Sequence, residues 1–363
     1  MDASFFIMWG GFILAAYSVV GNDVIQTLGT FLSSNEKRPW WVLWLFAGGI
    51  LTLTLLYGWY TFDGDVSYQR LIGDPPKYSM DNPKYPLPDP FSWYYLLPPL
   101  VLVFITRLGI PVSTSFLILT FFKPKGLDSM LIKSMSGYLL AFMVAIMVYF
   151  VVAKTLEKRF LDNPIKEREQ KVWTALQWLS TGFLWTQWLA QDFANIFVYL
   201  PRRLDTFSMF ISLIILLALL AYIFWQRGGA IQKIVKAKSN TGDIRSATII
   251  DFIYGIILFY FKELNNIPMS TTWVFIGLLG GREIMMRWMV GREGGYEQYE
   301  VLLDDSGEKD GRPGLVKDIL SDLGKVFLGL VISLVLVFFI QWIQGRDVMQ
   351  TINSLVCSLT GIC

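Results

Sequence analysis

The chain has no histidine among its 363 residues, and its two cysteines, Cys357 and Cys363, both stand at the very end. The first absence removes imidazole acid–base catalysis, imidazole metal sites and imidazole pH sensing. The second leaves no cysteine cluster to hold a metal. Charge is scarce as well: Asp, Glu, Lys and Arg make up 17% of the chain, where a soluble domain carries about 25%. Against this, 54% of the residues are hydrophobic and mean hydropathy is +0.47. Such a chain is a polytopic membrane protein, with the lipid bilayer as its main solvent. A net charge of +2 offers no argument for a nucleic-acid partner. No nucleophile–base constellation stands out, so the chain is not expected to be an enzyme. It opens on Asp2 instead of a basic stretch, which reads as a retained membrane segment and not a cleaved signal peptide.

Apolar segments fall at about 4–33, 40–60, 92–122 and 131–153, then again at 173–200, 207–226, 246–290 and 324–343. Runs of about 20 apolar residues are spanning helices. Four of the segments carry polar residues part-way: near Gly21, at Pro111, near Gln191 and at Asn265–Pro268. Irregular backbone at that depth is tolerated only where protein or a water-filled cavity covers it. Each half therefore reads as broken helix, helix, hairpin, helix.

Two motifs recur between the halves. An acidic residue lies within an apolar helix in Gly21-Asn22-Asp23-Val24-Ile25-Gln26-Thr27-Leu28-Gly29-Thr30 and in Gln191-Asp192-Phe193-Ala194-Asn195. A proline precedes a hydroxyl run in Pro111-Val112-Ser113-Thr114-Ser115 and in Pro268-Met269-Ser270-Thr271-Thr272. The aspartates are 169 positions apart and the leading serines 157. Two different motifs at nearly one offset indicate an internal duplication, and interrupted segments at matching places point to a secondary transporter's binding site.

The expected fold is an all-α polytopic membrane protein built from two inverted-topology repeats. Each holds a broken helix, spanning helices and a re-entrant hairpin. The first repeat is 1–153, a cytoplasmic linker follows at 154–172, and the second repeat is 173–343 with a cytoplasmic insert at 291–317. Residues 344–363 form an external tail. Lys and Arg number 19 on the loops 34–39, 154–172, 227–245 and 287–325, against nine on the other side. The positive-inside rule places the richer side in the cytoplasm and both termini outside. The expected location is a plasma membrane, as in a bacterial inner membrane. Residues 61–91, rich in Pro and Asp, read as an ordered irregular external cap. The terminal cysteines then lie in an oxidising compartment, where a disulfide is permitted.

Ionisable residues inside a membrane normally face a cavity, a partner or an ion. Asp23, Gln26 and Thr30 share one helical face. With Asn22 they form a set of carboxylate, amide and hydroxyl oxygens suited to a hard cation, and Gln191, Asp192 and Asn195 repeat it. The alternative is an aspartate that merely fixes helix packing. Each Pro-x-Ser-Thr run suits a helix start, where Pro costs no hydrogen bond and a hydroxyl caps the free amides. A helix starting inside the membrane aims amides and its positive dipole end at an anion. Ser113, Thr114 and Ser115 would serve it from one hairpin, and Ser270, Thr271 and Thr272 from the other. The alternative there is a Ser/Thr-rich contact between helices. Arg107, Lys262, Glu263 and Arg282-Glu283 are further ionisable groups at membrane depth or its edge; an internal Arg–Glu pair is the favoured reading, with Arg107 as a direct anion ligand the alternative.

Asn22-Asp23-Val24 with Gly29-Thr30, and the two Pro-x-Ser-Thr runs, resemble the signatures of the inorganic phosphate transporter family over nearly the whole chain. The resemblance implies a divergent inverted-repeat symporter of phosphate, or in one branch sulfate, driven by Na+ or H+. It assigns cation binding to Asp23 and Asp192 with Asn22 and Asn195, and anion binding to Ser113, Thr114, Ser270, Thr271 and Thr272. Departures from the family pattern are Gln26 and Gln191 within the acidic motifs, and Phe116 and Trp273 where His is usual. No resident cofactor is expected, only the transported cation. Monomer and homodimer are both left open. The competing reading is a membrane anion sensor that does not transport.

Overall fold

The computed structural model of the chain describes residues 3–107, 113–122, short stretches between 139 and 163, 165–227, 243–260, Thr271, Val274, Phe275, Leu278 and most of 315–360. Among the described residues all regular structure is helical. Three helices have windows long and apolar enough to cross a membrane: Ala3–Gly21, Trp40–Thr61 and Thr206–Trp225. The chain is accordingly an all-α protein of membrane type.

Helix α1 spans Ala3–Ser34 and α2 spans Trp40–Thr61. A short 3-10 turn, Trp93–Leu96, leads into α3, Leu97–Arg107, and α4 covers Thr114–Phe122. Then follow α5 (Glu167–Phe197), α6 (Thr206–Trp225), α7 (Ile244–Leu258), α8 (Leu315–Ile343) and α9 (Val348–Thr360).

The two expected helix breaks need correction. Neither α1 nor α5 is broken: helical backbone runs unbroken through Gly21-Asn22-Asp23 and through Gln191-Asp192. A buried polar side chain interrupts a helix only if it must borrow the backbone's hydrogen bonds, and both aspartates find side-chain partners, Asp23 on α4 and Asp192 one turn on in its own helix. Helix α5 begins at Glu167, inside the expected linker, where the Lys166 amide donates to Glu169 Oε2 at 3.5 Å. Helix α8 begins at Leu315, before the expected insert ends. The expected tail holds α9, and its Cys357 is disulfide-bonded, Cys363 being the chain's only other cysteine. The expected helix over 131–153 and the insert 291–314 lie largely or wholly outside the described residues.

Helix α5 is the axis of the bundle, with α1, α2, α4 and α7 packed against it. This central place explains its polarity. Gln177, Ser180, Thr181, Gln191, Asp192 and Asn195 are all buried, facing neighbouring helices instead of lipid. Helices α1 and α5 run antiparallel. Phe12 meets Phe197 at one end, with ring centroids 5.3 Å apart, and Phe31 meets Trp178 at the other, at 5.2 Å. Helices α2 and α6 are antiparallel too: Trp59 Nε1 donates to the Leu204 carbonyl at 2.9 Å and Trp44 Nε1 to that of Leu217 at 3.1 Å.

Residues 62–92 form a cap of turns, as their composition predicts. Buried Asp65 ties one turn, accepting from the amides of Ser67 and Gln69, both at 2.7 Å. Burial raises its carboxyl above the usual range, while the Ser67 and Gln69 bonds and Arg202 oppose that shift. Gly64, at φ +91°, takes a left-handed conformation open to glycine, and its carbonyl accepts from the Leu204 amide at 3.0 Å. The cap is thus stitched to the 198–205 turn between α5 and α6.

Helices α3 and α4 form a hairpin whose two outer ends meet under this cap. Tyr95 and Phe122 stack at 5.0 Å, and the Tyr199 hydroxyl donates to the Tyr95 carbonyl at 3.1 Å. The described parts of the two helices, 11 and 9 residues, are about 16 and 14 Å long. Helix α7 starts at the opposite end. There Arg245 donates to the carbonyls of Phe160 and Asn163, both at 2.9 Å.

Gly11 lets α1 approach the ring of Tyr199: a Cβ there would lie 2.3 Å from Cδ1 of that fully buried side chain. Gly11→Ala is expected to lower stability by about 1–3 kcal/mol, the usual cost of overpacking. Gly10→Ala, whose Cβ meets nothing within 4 Å, should be neutral. Thermal unfolding of the detergent-purified variants compares the two; equal melting temperatures would remove Gly11 as a packing requirement.

Candidate functional site

Helix α4 starts as its sequence predicts. The Ser113 hydroxyl accepts from the Phe116 amide at 3.3 Å, and the Ser113 carbonyl accepts from the Leu117 amide at 3.0 Å. This caps the helix deep inside the bundle and holds Thr114 and Ser115 in its first turn.

Thr114 Oγ1 donates to Asp23 Oδ2 at 2.9 Å. Asn195 Nδ2 lies 2.9 Å from Ser115 Oγ, 3.3 Å from Thr114 Oγ1, and donates to Asp192 Oδ1 on its own helix. One hydrogen-bonded cluster therefore joins α1, α4 and α5 through five of the residues expected to form the site: Asp23, Thr114, Ser115, Asp192 and Asn195. Asp23 and Asp192 are each only 1% exposed. Gln191 is buried beside them. Buried carboxylates are tolerated only when hydrogen-bonded, paired or bound to a cation.

Two buried polar atoms near this cluster have no hydrogen-bond partner among the described residues: Asn195 Oδ1 and Trp188 Nε1. Trp188 stacks on Trp185 at 4.9 Å, one turn before Asp192. An unfilled acceptor at this depth costs about 1–3 kcal/mol, and an amide oxygen beside two aspartates is a ligand type that hard cations use. No group of three or more His, Cys, Asp or Glu able to hold a metal occurs among the described residues, so a cation here would rely on amide and hydroxyl oxygens beside the aspartates.

From the second hydroxyl run, Thr271 is buried and its carbonyl accepts from the Tyr254 hydroxyl at 2.8 Å. Ser270 and Thr272 lie outside the described residues. Tyr254 also lies within electrostatic reach of Asp23 and Asp192. It thereby connects the second run to the aspartates. The sequence reading missed Tyr254, an aromatic residue in an apolar helix that offered no signal.

Other expected members stand elsewhere. Thr30 does not join Asp23: its hydroxyl donates to Asp251 Oδ1 on α7 at 2.5 Å. Seven residues of helix separate Thr30 from Asp23, about 10 Å along the axis, too far to share one ion. The side chains of Asn22, Gln26 and Arg107 lie outside the described residues, as do Lys262, Glu263, Arg282 and Glu283. Asp251 was missed because the 157-residue offset carries it to Tyr94, so no repeat marks it. The available signal was simply an acid within an apolar helix.

The arginine pair after α5 has structural work. Arg202, 7% exposed, donates to the carbonyls of Tyr85, Leu200, Val198 and Phe197 at 2.7, 2.6, 3.0 and 3.3 Å. Burial pushes its guanidinium down to about 10, opposed by Asp65. Arg203 pairs with Asp63 at the surface. Neither is a rival anion site at the bundle centre.

No protein-family model, curated protein or solved structure matches the chain.

Proposed function

We propose that the protein is a cation-coupled symporter of inorganic phosphate working by alternating access. The observation that carries this reading is the single buried cluster of Asp23, Asp192, Asn195, Thr114 and Ser115. Two repeat-related acids and a hairpin-tip helix start meet there, although they are far apart in sequence. Cations at the aspartates would offset their repulsion of an incoming oxyanion, which is the physical basis of coupling. The anion would sit at the start of α4, facing the second hydroxyl run. Amides at the two helix starts would hold it.

Inverted repeats are supported by the antiparallel pairs α1–α5 and α2–α6, each made of corresponding helices of the two halves. They are supported also by the α3–α4 hairpin and α7 entering from opposite ends. In this reading α3–α4 is re-entrant, the 62–92 cap is external, and the end holding Arg38 and Arg245 is cytoplasmic. The choice of phosphate rests on the family resemblance; sulfate is the nearest alternative.

The decisive experiment is uptake by purified protein in proteoliposomes under imposed Na+ or pH gradients. Gradient-driven phosphate accumulation supports the reading, sulfate accumulation alone would change the substrate, and anion binding without uptake would make the protein a sensor. Topology has its own check. Single cysteines at Met80, Ile165 and Asn240, in a background lacking Cys357 and Cys363, should label from outside at 80 and from the cytoplasm at 165 and 240. Labelling of 80 and 240 from one face would sink the inverted arrangement.

A further inference from the structure

Asp251 lies outside the cluster just described, is 1% exposed, and bridges three helices. Its Oδ1 accepts from Thr30 Oγ1 of α1 at 2.5 Å and its Oδ2 from Thr181 Oγ1 of α5 at 2.6 Å. We propose that Asp251 is a proton-binding site, the carboxyl on which a co-transported proton rides. This rests on the symport reading and names its coupling ion.

Three observations carry the assignment. First, an intramembrane carboxyl with no role in packing apolar surface is functional by default, and Asp251 forms no ion pair among the described residues. Second, both its oxygens lie 2.5–2.6 Å from hydroxyl oxygens. A metal cation holds its oxygen ligands at about 2.0–2.6 Å from itself, which spreads neighbouring ligands well beyond that spacing. That spacing leaves no room for a metal ion between them, each gap being filled by the threonine's own hydrogen, and a buried carboxyl with no counter-charge is neutralised by a proton. Third, the two donors belong to the helices that carry Asp23 and Asp192, while Asp251 belongs to α7, which leads toward the second hydroxyl run.

The last point supplies a mechanism. Hydrogen bonds donated to a carboxylate favour its ionised form. Each hydroxyl withdrawn from Asp251 moves its carboxyl toward the protonated form, so a shift of α7 against α1 and α5 would couple proton uptake to conformation. Water on one face supplies that proton to Oδ and water on the other receives it, so one positive charge crosses with the anion and no redox partner is needed. The surrounding charged groups do not compete. Asp23 on α1 and Asp192 and Tyr254 lie toward the capped end of the bundle. Arg38 is held by Asn35 and the Trp178 ring, Arg245 by Asp243, and Glu167, Arg168, Glu169 and Lys171 occupy the start of α5.

Infrared difference spectroscopy of the purified protein across a pH series tests the site without transport. A protonated buried carboxyl should titrate in the wild type, persist in Asp23→Asn and Asp192→Asn, and vanish in Asp251→Asn. Thr30→Val and Thr181→Val, which keep Asp251, should each raise its midpoint by about one to two pH units, the worth of one hydrogen bond to a charged group. Persistence of the band in Asp251→Asn, or unmoved midpoints in both valine variants, would overturn the proposal. In proteoliposomes, Asp251→Asn should retain phosphate–phosphate exchange and lose accumulation driven by a pH gradient. Accumulation equal to wild type, or wild-type accumulation driven by Na+ and indifferent to pH, overturns the coupling role. A wild type that moves no phosphate yet shows the Asp251 band overturns the symport reading alone.

Discussion

Asp23→Asn and Asp192→Asn are each expected to reduce gradient-driven phosphate accumulation to background while leaving the protein folded. Both substitutions keep side-chain shape and an acceptor oxygen. At position 23 that oxygen still receives the Thr114 hydroxyl, and at 192 it still receives the Asn195 amide. What disappears is the charge that would hold a cation inside a low-dielectric bundle. One lost bond to a charged group is worth about 1.5–3 kcal/mol, or roughly ten- to a hundred-fold in affinity. Coupling multiplies this, because the anion then meets the site without its neutralising ion. Uptake in proteoliposomes reads the loss, and unfolding in detergent confirms that the fold survives. Wild-type accumulation in both variants would refute the cation role of these acids.

The largest effect on stability is expected from Arg202→Met. The guanidinium satisfies carbonyls of Tyr85, Phe197, Val198 and Leu200 at once, and thereby ties the end of α5 to the 62–92 cap. Methionine fills similar space but removes the donor that Tyr85, Val198 and Leu200 share and the positive charge near buried Asp65. Removing one side of a buried charged network costs about 3–5 kcal/mol, a large part of the total stability of a typical domain. Arg202→Lys should recover only part of this, since an ammonium offers three donors and no planar fork. Thermal unfolding measures both, and an unchanged melting temperature for Arg202→Met would show that the cap holds without it. Phosphate binding by the folded fraction should be unaltered, because Arg202 points into the loop junction and not toward Asp23.

The order of these two effects matters for reading any variant of this chain. A change at the bundle centre should remove coupling with the melting temperature preserved. A change at the cap should lower the melting temperature with coupling preserved. Ser113→Ala stands between them, since Ser113 both caps α4 and faces the candidate anion site.

Local chemistry by itself determined the helices and the loops. Trp40–Thr61 and Thr206–Trp225 fall where the apolar runs are, because the cost of exposing backbone to lipid depends only on hydropathy and length. The cap at 62–92 followed from its prolines and aspartates, and the start of α4 from Ser113 after Pro111. The two recurring motifs were also legible, and they singled out Asp23, Thr114, Asp192 and Asn195 before any contact between them was known. Only the tertiary structure decided who meets whom. Thr30 lies on the same face of α1 as Asp23, yet its partner is Asp251, 221 residues away. Helix periodicity fixes which face a side chain occupies and says nothing about what lies opposite. The continuity of α1 and α5 through their aspartates has the same cause. A polar residue inside an apolar helix looks like a break until a side chain satisfies it: the Thr114 hydroxyl of another helix reaches Asp23, and the Asn195 amide one turn on reaches Asp192.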